Sequence, residues 1–423
     1  MTPAGHGSDR RRRPARSGHP PPHSSPRVGP LAGSGREAPP LDVDALLDDR
    51  STQIVVCCGS GGVGKTTTAA ALALRAAERG RSVVVLTIDP ARRLAQSLGL
   101  DALDNTPHTV DTGPAVKAAG GRLDAMMLDM KRTFDEVVVA HSSPDKARQI
   151  LANPFYVALS SSFAGTQEYM AMEKLGQLHA RGQRDGSWDL IVVDTPPSRS
   201  ALDFLDAPEH LSSLLDGRFV KLLLAPARGP ARLLSVGLNV VTGALTKVLG
   251  GQLLRDVQTF VAALDTVFGG FRQRAERTYA LLQASQTAFV VVATPEPDAL
   301  REAAYFVERL GQDTMPVAGL VLNRMVADLV PLLSADRARQ AVDTLADNTD
   351  DVPGRAATRG LLVLHAARAD ARSRHLRLQD RFAAAHPGVA TVGVPALAGD
   401  VHDVAGLRTI GELLGDVSAG RPG

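Results

Sequence analysis

The stretch Gly59-Ser60-Gly61-Gly62-Val63-Gly64-Lys65-Thr66 leaves this chain few architectures to choose from. It fits G-x-x-x-x-G-K-[ST], follows the apolar run Gln53–Cys58, and opens an Ala-rich segment, Thr66–Arg79, that stops before Gly80. Strand, glycine-rich turn and helix in that order make a phosphate-binding loop. Glycine lets the backbone curl until its N–H groups point inward at phosphate oxygens. The helix that follows directs its positive end at the same place. Gly61, Gly62, Val63 and Gly64 are thus expected to line a phosphate cradle. Lys65 is expected to bridge the β and γ phosphates, Thr66 to bind Mg²⁺ through its hydroxyl, and Thr67 to touch the α phosphate.

Five more apolar runs follow: Ser82–Ile88, Asp189–Val193, Ala288–Ala293, Val317–Leu322 and Thr391–Val394. Continuous Val/Ile/Leu runs suit strands covered on both faces, as in a parallel sheet between helices. Their alternation with long helical patterns predicts a doubly wound, mainly parallel α/β fold. Residues 205–285 break the pattern and read as an α-helical insertion. Within it Leu233–Leu249 carries one charge, Lys247, and is apolar on all sides. That run suits a helix buried in the core, a helix lining an apolar groove or, less well, a membrane-inserting hairpin. The remaining domain expectations are a Pro/Arg-rich disordered tail over 1–46, a phosphate-binding-loop domain over 47–415, and a flexible end over 416–423. Residues 1–40 hold nine of the 27 prolines and seven arginines against Asp9 and Glu37. Such a segment buries too little apolar surface to offset chain entropy. No aromatic residue interleaves the arginines, so no specific nucleic-acid partner is expected.

Two acidic residues end β runs. Asp89, in Thr87-Ile88-Asp89-Pro90-Ala91-Arg92, is either a helix cap or the group that orients the attacking water. Asp194 ends Trp188-Asp189-Leu190-Ile191-Val192-Val193-Asp194, the pattern of a metal-holding carboxylate. The loop Thr195–Ser200 then has the stiffness to sense a γ phosphate. With two cysteines in 423 residues, a disulfide scaffold and a four-thiolate metal site within one chain are excluded. Cys57 and Cys58 are adjacent on a strand, face opposite sides of the sheet, and read as small core residues. The methionines at 126, 127, 130, 170 and 172 read as core positions of amphipathic helices. No apolar run follows the basic cluster Arg10–Arg13 and none reaches about 20 residues, so a cytoplasmic protein is expected.

Together GSGGVGKTT, LTIDPARRL, WDLIVVDTPPS, VATPEP, VLNR and VPALAGDV resemble the ArsA-type ATPase family, over about 51–415. That family includes the arsenite-pump ATPases and the ATPases that target tail-anchored membrane proteins. It belongs with the MinD- and ParA-type ATPases, which work as nucleotide-sandwich dimers. The resemblance implies ATP and Mg²⁺ as ligands. It places Asp89 on the water-activating aspartate, Asp194 on the metal aspartate, and Asn323 on the asparagine that reads adenine. Pro295 and Glu296 fall near the base and ribose, and Val394–Leu397 on the loop beside the base.

The chain departs from the family pattern in three ways. Ser60 stands where the family has a lysine that crosses to the partner subunit's phosphates. The thiols of the arsenite and intersubunit zinc sites are missing, which disfavours arsenite pumping. Arg92 and Arg93 replace small or His residues. The first departure motivates pairing with a paralogous ATPase chain that bears the lysine, as in the actinobacterial branch with two dissimilar chains; pairing with itself is the alternative. The expected activity is an ATP-hydrolysing switch. Its expected partner is an apolar client or a membrane-protein partner, with transient membrane association through that partner. The alternatives are a nucleotide-binding regulatory subunit with little turnover, and a partition- or positioning-type ATPase.

Overall fold

The computed structural model describes residues 39–89, 93–154, 156–157, 160, 166–196, 273–327, 333–347 and 354–416. The expected tail up to 38, most of the insertion (with Leu233–Leu249), Arg92, Pro197–Ser200 and residues 417–423 lie outside that set.

Eight strands form one sheet: β1 (Ile54–Gly59), β2 (Ser82–Thr87), β3 (His108–Thr109), β4 (Arg122–Met127), β5 (Leu190–Asp194), β6 (Thr287–Ala293), β7 (Val317–Met325) and β8 (Thr391–Pro395). Their order is β3-β4-β2-β5-β1-β6-β7-β8, and every pairing except β3 with β4 is parallel. All residues of β1, β5 and β6 are buried, as continuous apolar runs require when helices cover both faces. The chain leaves β1 toward β2 and β4 on one side, and later continues through β6, β7 and β8 on the other. The crevice at the carboxyl end of β1 is therefore the topological switch point, where open α/β sheets bind ligands.

The helices are α1 (Val43–Asp48), α2 (Lys65–Glu78), α3 (Arg93–Ser97), α4 (Pro114–Ala118), α5 (Met130–Ala140), α6 (Pro144–Leu151), α7 (Thr166–Asp185), α8 (Pro297–Gln312), α9 (Ala335–Asp347), α10 (Arg355–Ala385) and α11 (Val404–Gly415). Residues 273–283 are also helical. Six alanines of α2 are fully buried, and their small side chains let the helix lie close to the sheet.

Two expectations need correction, and one feature was not foreseen. The boundary at 46 falls inside α1: Leu41, Val43 and Leu47 are core residues. Leu41 N donates to the Thr391 carbonyl (2.9 Å), and Arg75 pairs with Asp44 (2.5 Å), so this short segment is fastened to β8 and α2. Met126 and Met127 sit on β4, not on a helix. Asp124 breaks the apolar run there and hid the strand; its buried carboxylate accepts from Trp188 Nε1 (2.7 Å) and Thr109 (2.8 Å). Finally, the α9–α10 pair between β7 and β8 has no counterpart in the sequence reading.

Candidate nucleotide site

Gly59–Thr66 turns from β1 into α2 as the sequence requires. Gly62 and Gly64 have φ of +79° and +94°, a region costly for residues with a Cβ. Gly64 is the N-cap of α2, and no side chain caps it, which leaves the first N–H groups of the helix facing the cleft. A methyl group at Gly64 would lie 2.2 Å from Asn323 Nδ2. Gly64→Ala is therefore expected to destabilise the fold by about 1–3 kcal/mol through strain. A thermal melt and an ATP titration of the variant check this; an unchanged melt contradicts it.

Beneath the loop lies a buried polar constellation. Asp194 is fully buried, and its Oδ2 accepts from Thr66 Oγ1 (2.8 Å) and Thr87 Oγ1 (2.9 Å). Its Oδ1 is buried with no hydrogen-bond partner. Burial pushes the Asp194 carboxyl up to about 6, against the lowering pull of the two threonines and of Lys65. Lys65 is 7% exposed, and its Nζ donates to the Ser60 carbonyl (2.8 Å). Burial lowers its pKa while the charge of Asp194 opposes that shift. A carboxylate with one orphaned oxygen beside a threonine hydroxyl fits the hard oxygen chemistry of Mg²⁺.

Thr87 was not singled out by sequence. It ends β2 in register with Asp194, and its hydroxyl also accepts from the Asp89 backbone N–H (3.2 Å). Asp89 and the metal-type carboxylate are thereby joined through one side chain. On the other flank, Thr195 Oγ1 donates to the Cys57 carbonyl (2.8 Å), which ties the start of the loop after β5 to β1.

A cleft of about 900 Å³ gathers Gly62, Gly64, Lys65, Thr66, Thr67, Asp89, Asn323 and residues 395–397. Asp89 and Asn323, 234 positions apart, thus meet across one pocket. Asn323 Nδ2 donates to the Val63 carbonyl (2.8 Å), and its Oδ1 accepts from Arg324 N (2.9 Å), so each amide atom keeps capacity for one more bond. Gly61 is exposed, and the Val63 side chain is in the core. Pro295 and Glu296 do not line the cleft; they lie at the end of β6, with Glu296 as N-cap of α8. Gln96, Arg324, Asp400 and His402 line it unannounced by the sequence reading of the site, together with Arg93, which was noted only as a departure from the family pattern.

Both cysteines are buried, with Cys58 pushed up to about 12 by desolvation. Among the described residues no group of three His, Cys, Asp or Glu side chains could hold a metal.

The fold and this constellation define a phosphate-binding-loop ATPase. The sequence profile of the anion-transporting ATPases (ArsA_ATPase) matches residues 52–344. The chain belongs to this family, and it is an ATPase. An ATPase GET3 of Ajellomyces dermatitidis is 27% identical over 305 residues, 69% of this chain and 79% of the relative. An ATPase GET3 of Malassezia globosa is 29% identical over 180 residues, 42% of this chain and 49% of the relative. An ATPase get3 of Aspergillus terreus is 25% identical over 294 residues, 67% of this chain and 76% of the relative.

Proposed function

We propose that the chain is a dimeric, Mg²⁺-dependent switch in which ATP binding and hydrolysis open and close an apolar groove for a client or membrane-protein partner. The observation that carries the reading is the Thr66–Asp194–Thr87 constellation under the glycine loop. Loop N–H groups and the α2 terminus hold the phosphates, and Lys65 neutralises charge between the last two. Thr66 and Asp194 would hold Mg²⁺, which when bound supplies further charge neutralisation at the phosphoryl oxygens. Asp89 orients the attacking water and accepts its proton. Because Thr87 contacts both Asp194 and the Asp89 backbone, loss of the γ phosphate is felt at Asp89 as well as at Asp194.

The expected consequence for Asp89→Asn is an ATP-loaded protein whose single-turnover phosphate release falls by about 10²–10⁴-fold. Quench-flow with labelled ATP measures it. Release at the rate of the unmodified chain would remove Asp89 from the reaction.

The client groove is assigned to the insertion at 205–285 by the family resemblance. Among the described residues no helix is long and apolar enough to cross a membrane. A cytoplasmic location, with membrane contact only through a partner, is part of this proposal. Ser60 favours pairing with a lysine-bearing paralogue, because a homodimer would lack that cation at both sites. The same residue supports a second reading, a regulatory subunit that binds nucleotide and turns it over slowly. Sedimentation and ATPase rate of the chain alone, then mixed with such a paralogue, separate the two. Stimulation on mixing supports the switch; slow and equal rates support the regulatory subunit.

A further inference from the structure

Arg324 has a backbone φ of +61°, one of two non-glycine residues with positive φ among the described residues. That conformation is uncommon for a long side chain and collects at sites where function needs it. The cause is local. The β7–β8 register shifts between Leu322 and Met325, so Asn323 and Arg324 form the irregular step, and such a step re-aims side chains. Arg324 N donates to Asn323 Oδ1, and Asn323 Nδ2 holds the Val63 carbonyl of the glycine loop. The strained residue is thus tied directly to the phosphate cradle.

Its side chain is exposed and lines the nucleotide cleft. The guanidinium has no hydrogen-bond or ion-pair partner among the described residues, although Asp400 lines the same cleft. Elsewhere Arg50, Arg75, Arg79, Arg81 and Arg309 all find carboxylates. Topology then sets which end of a nucleotide Arg324 meets. Asp194 and Thr87 lie on β5 and β2, to one side of β1, so the metal and the terminal phosphate belong there. Arg324 lies next to the end of β7, two strands to the other side of β1, about 10 Å across the sheet.

Resting on the nucleotide-site reading above, we propose that Arg324 is a nucleotide-binding residue whose guanidinium pairs with the α phosphate, in the ATP- and ADP-bound states alike. A planar, permanently charged fork suits phosphate oxygens, and one such contact is worth roughly tenfold or more in affinity.

The test uses the full chain with Mg²⁺, titrated with ATP, ADP and adenosine by calorimetry. Arg324→Gly suits the positive φ and keeps the fold while removing the guanidinium. It is expected to weaken ATP and ADP by the same factor, about tenfold, to leave adenosine affinity unaltered, and to raise KM more than it lowers kcat. Arg324→Lys is expected to recover part of the loss. Unchanged ADP affinity in Arg324→Gly, a loss confined to ATP, or an equal loss with adenosine would each overturn the proposal. Lys65→Ala in the same titration separates the two levels. If it loses nucleotide while Arg324→Gly does not, only the Arg324 inference fails; if the unmodified chain takes no nucleotide, the site reading itself fails.

Discussion

Lys65→Ala is expected to lower kcat/KM for ATP by on the order of 10²–10³-fold, the scale of losing one preorganised charge at a transferring phosphoryl group. Lys65 lies at the bottom of the loop at 7% exposure, beside a fully buried carboxylate. In so desolvated a place a charge acts with far more force than on the surface. Its ammonium already spends one hydrogen on the Ser60 carbonyl and has two more to give. The substitution also removes the nearest cation from Asp194, whose carboxyl burial already raises. Lys65→Arg is not expected to rescue, because a planar fork cannot occupy the pocket of a compact ammonium. Phosphate release under steady state measures both variants. Normal turnover in Lys65→Ala would detach the glycine loop from the chemistry.

The second large effect concerns stability. Arg81 is fully buried, a rare position for a guanidinium. Its Nη1 donates to the Leu47 carbonyl (3.1 Å), Nη2 to the carbonyls of Thr52 (2.7 Å) and Asp189 (2.8 Å), and Nε to Asp189 Oδ1 (2.9 Å). One side chain therefore binds the end of α1, the entry to β1 and the entry to β5. Arg81→Ala removes the donor from four carbonyls, those of Leu47, Asp49, Thr52 and Asp189, and supplies none in its place. Asp189 is 43% exposed and keeps Arg50, so the cost falls on the carbonyls, about 1–3 kcal/mol for each left buried and unpaired. Chemical denaturation is expected to show a loss of at least that size, and Arg81→Lys is expected to recover little of it. A loss below about 1 kcal/mol, the range of an exposed pair, would contradict this account.

Arg81 also shows where reading the sequence stops. It follows Gly80 at the start of a strand and looks like any surface arginine in a turn. Its role depends on carbonyls contributed by three separate segments. The six continuous apolar runs were legible because burial on both faces leaves no room for polar alternation. Strand β4 was not, because Asp124 sits buried in it and is held by Trp188 and Thr109, from other segments, besides Arg122 on the strand itself. In the site, Lys65, Thr66, Asp89 and Asp194 announced themselves by local pattern; the first three line one cleft, and Asp194 accepts from Thr66. Thr87 and Arg324 did not. One acts through the pairing of β2 with β5, the other through an irregular step between β7 and β8. Neither registration is written in local composition.

The central claim is that the turn around Gly62 grips a triphosphate. A crystal structure with Mg²⁺ and a non-hydrolysable ATP analogue tests it most directly. The account predicts phosphate oxygens within hydrogen-bond distance of the backbone N–H groups of residues 61–66, with the metal on Thr66 Oγ1 and on the Asp194 side. An analogue bound elsewhere, or a loop that stays closed on Lys65 at saturating nucleotide, would contradict it.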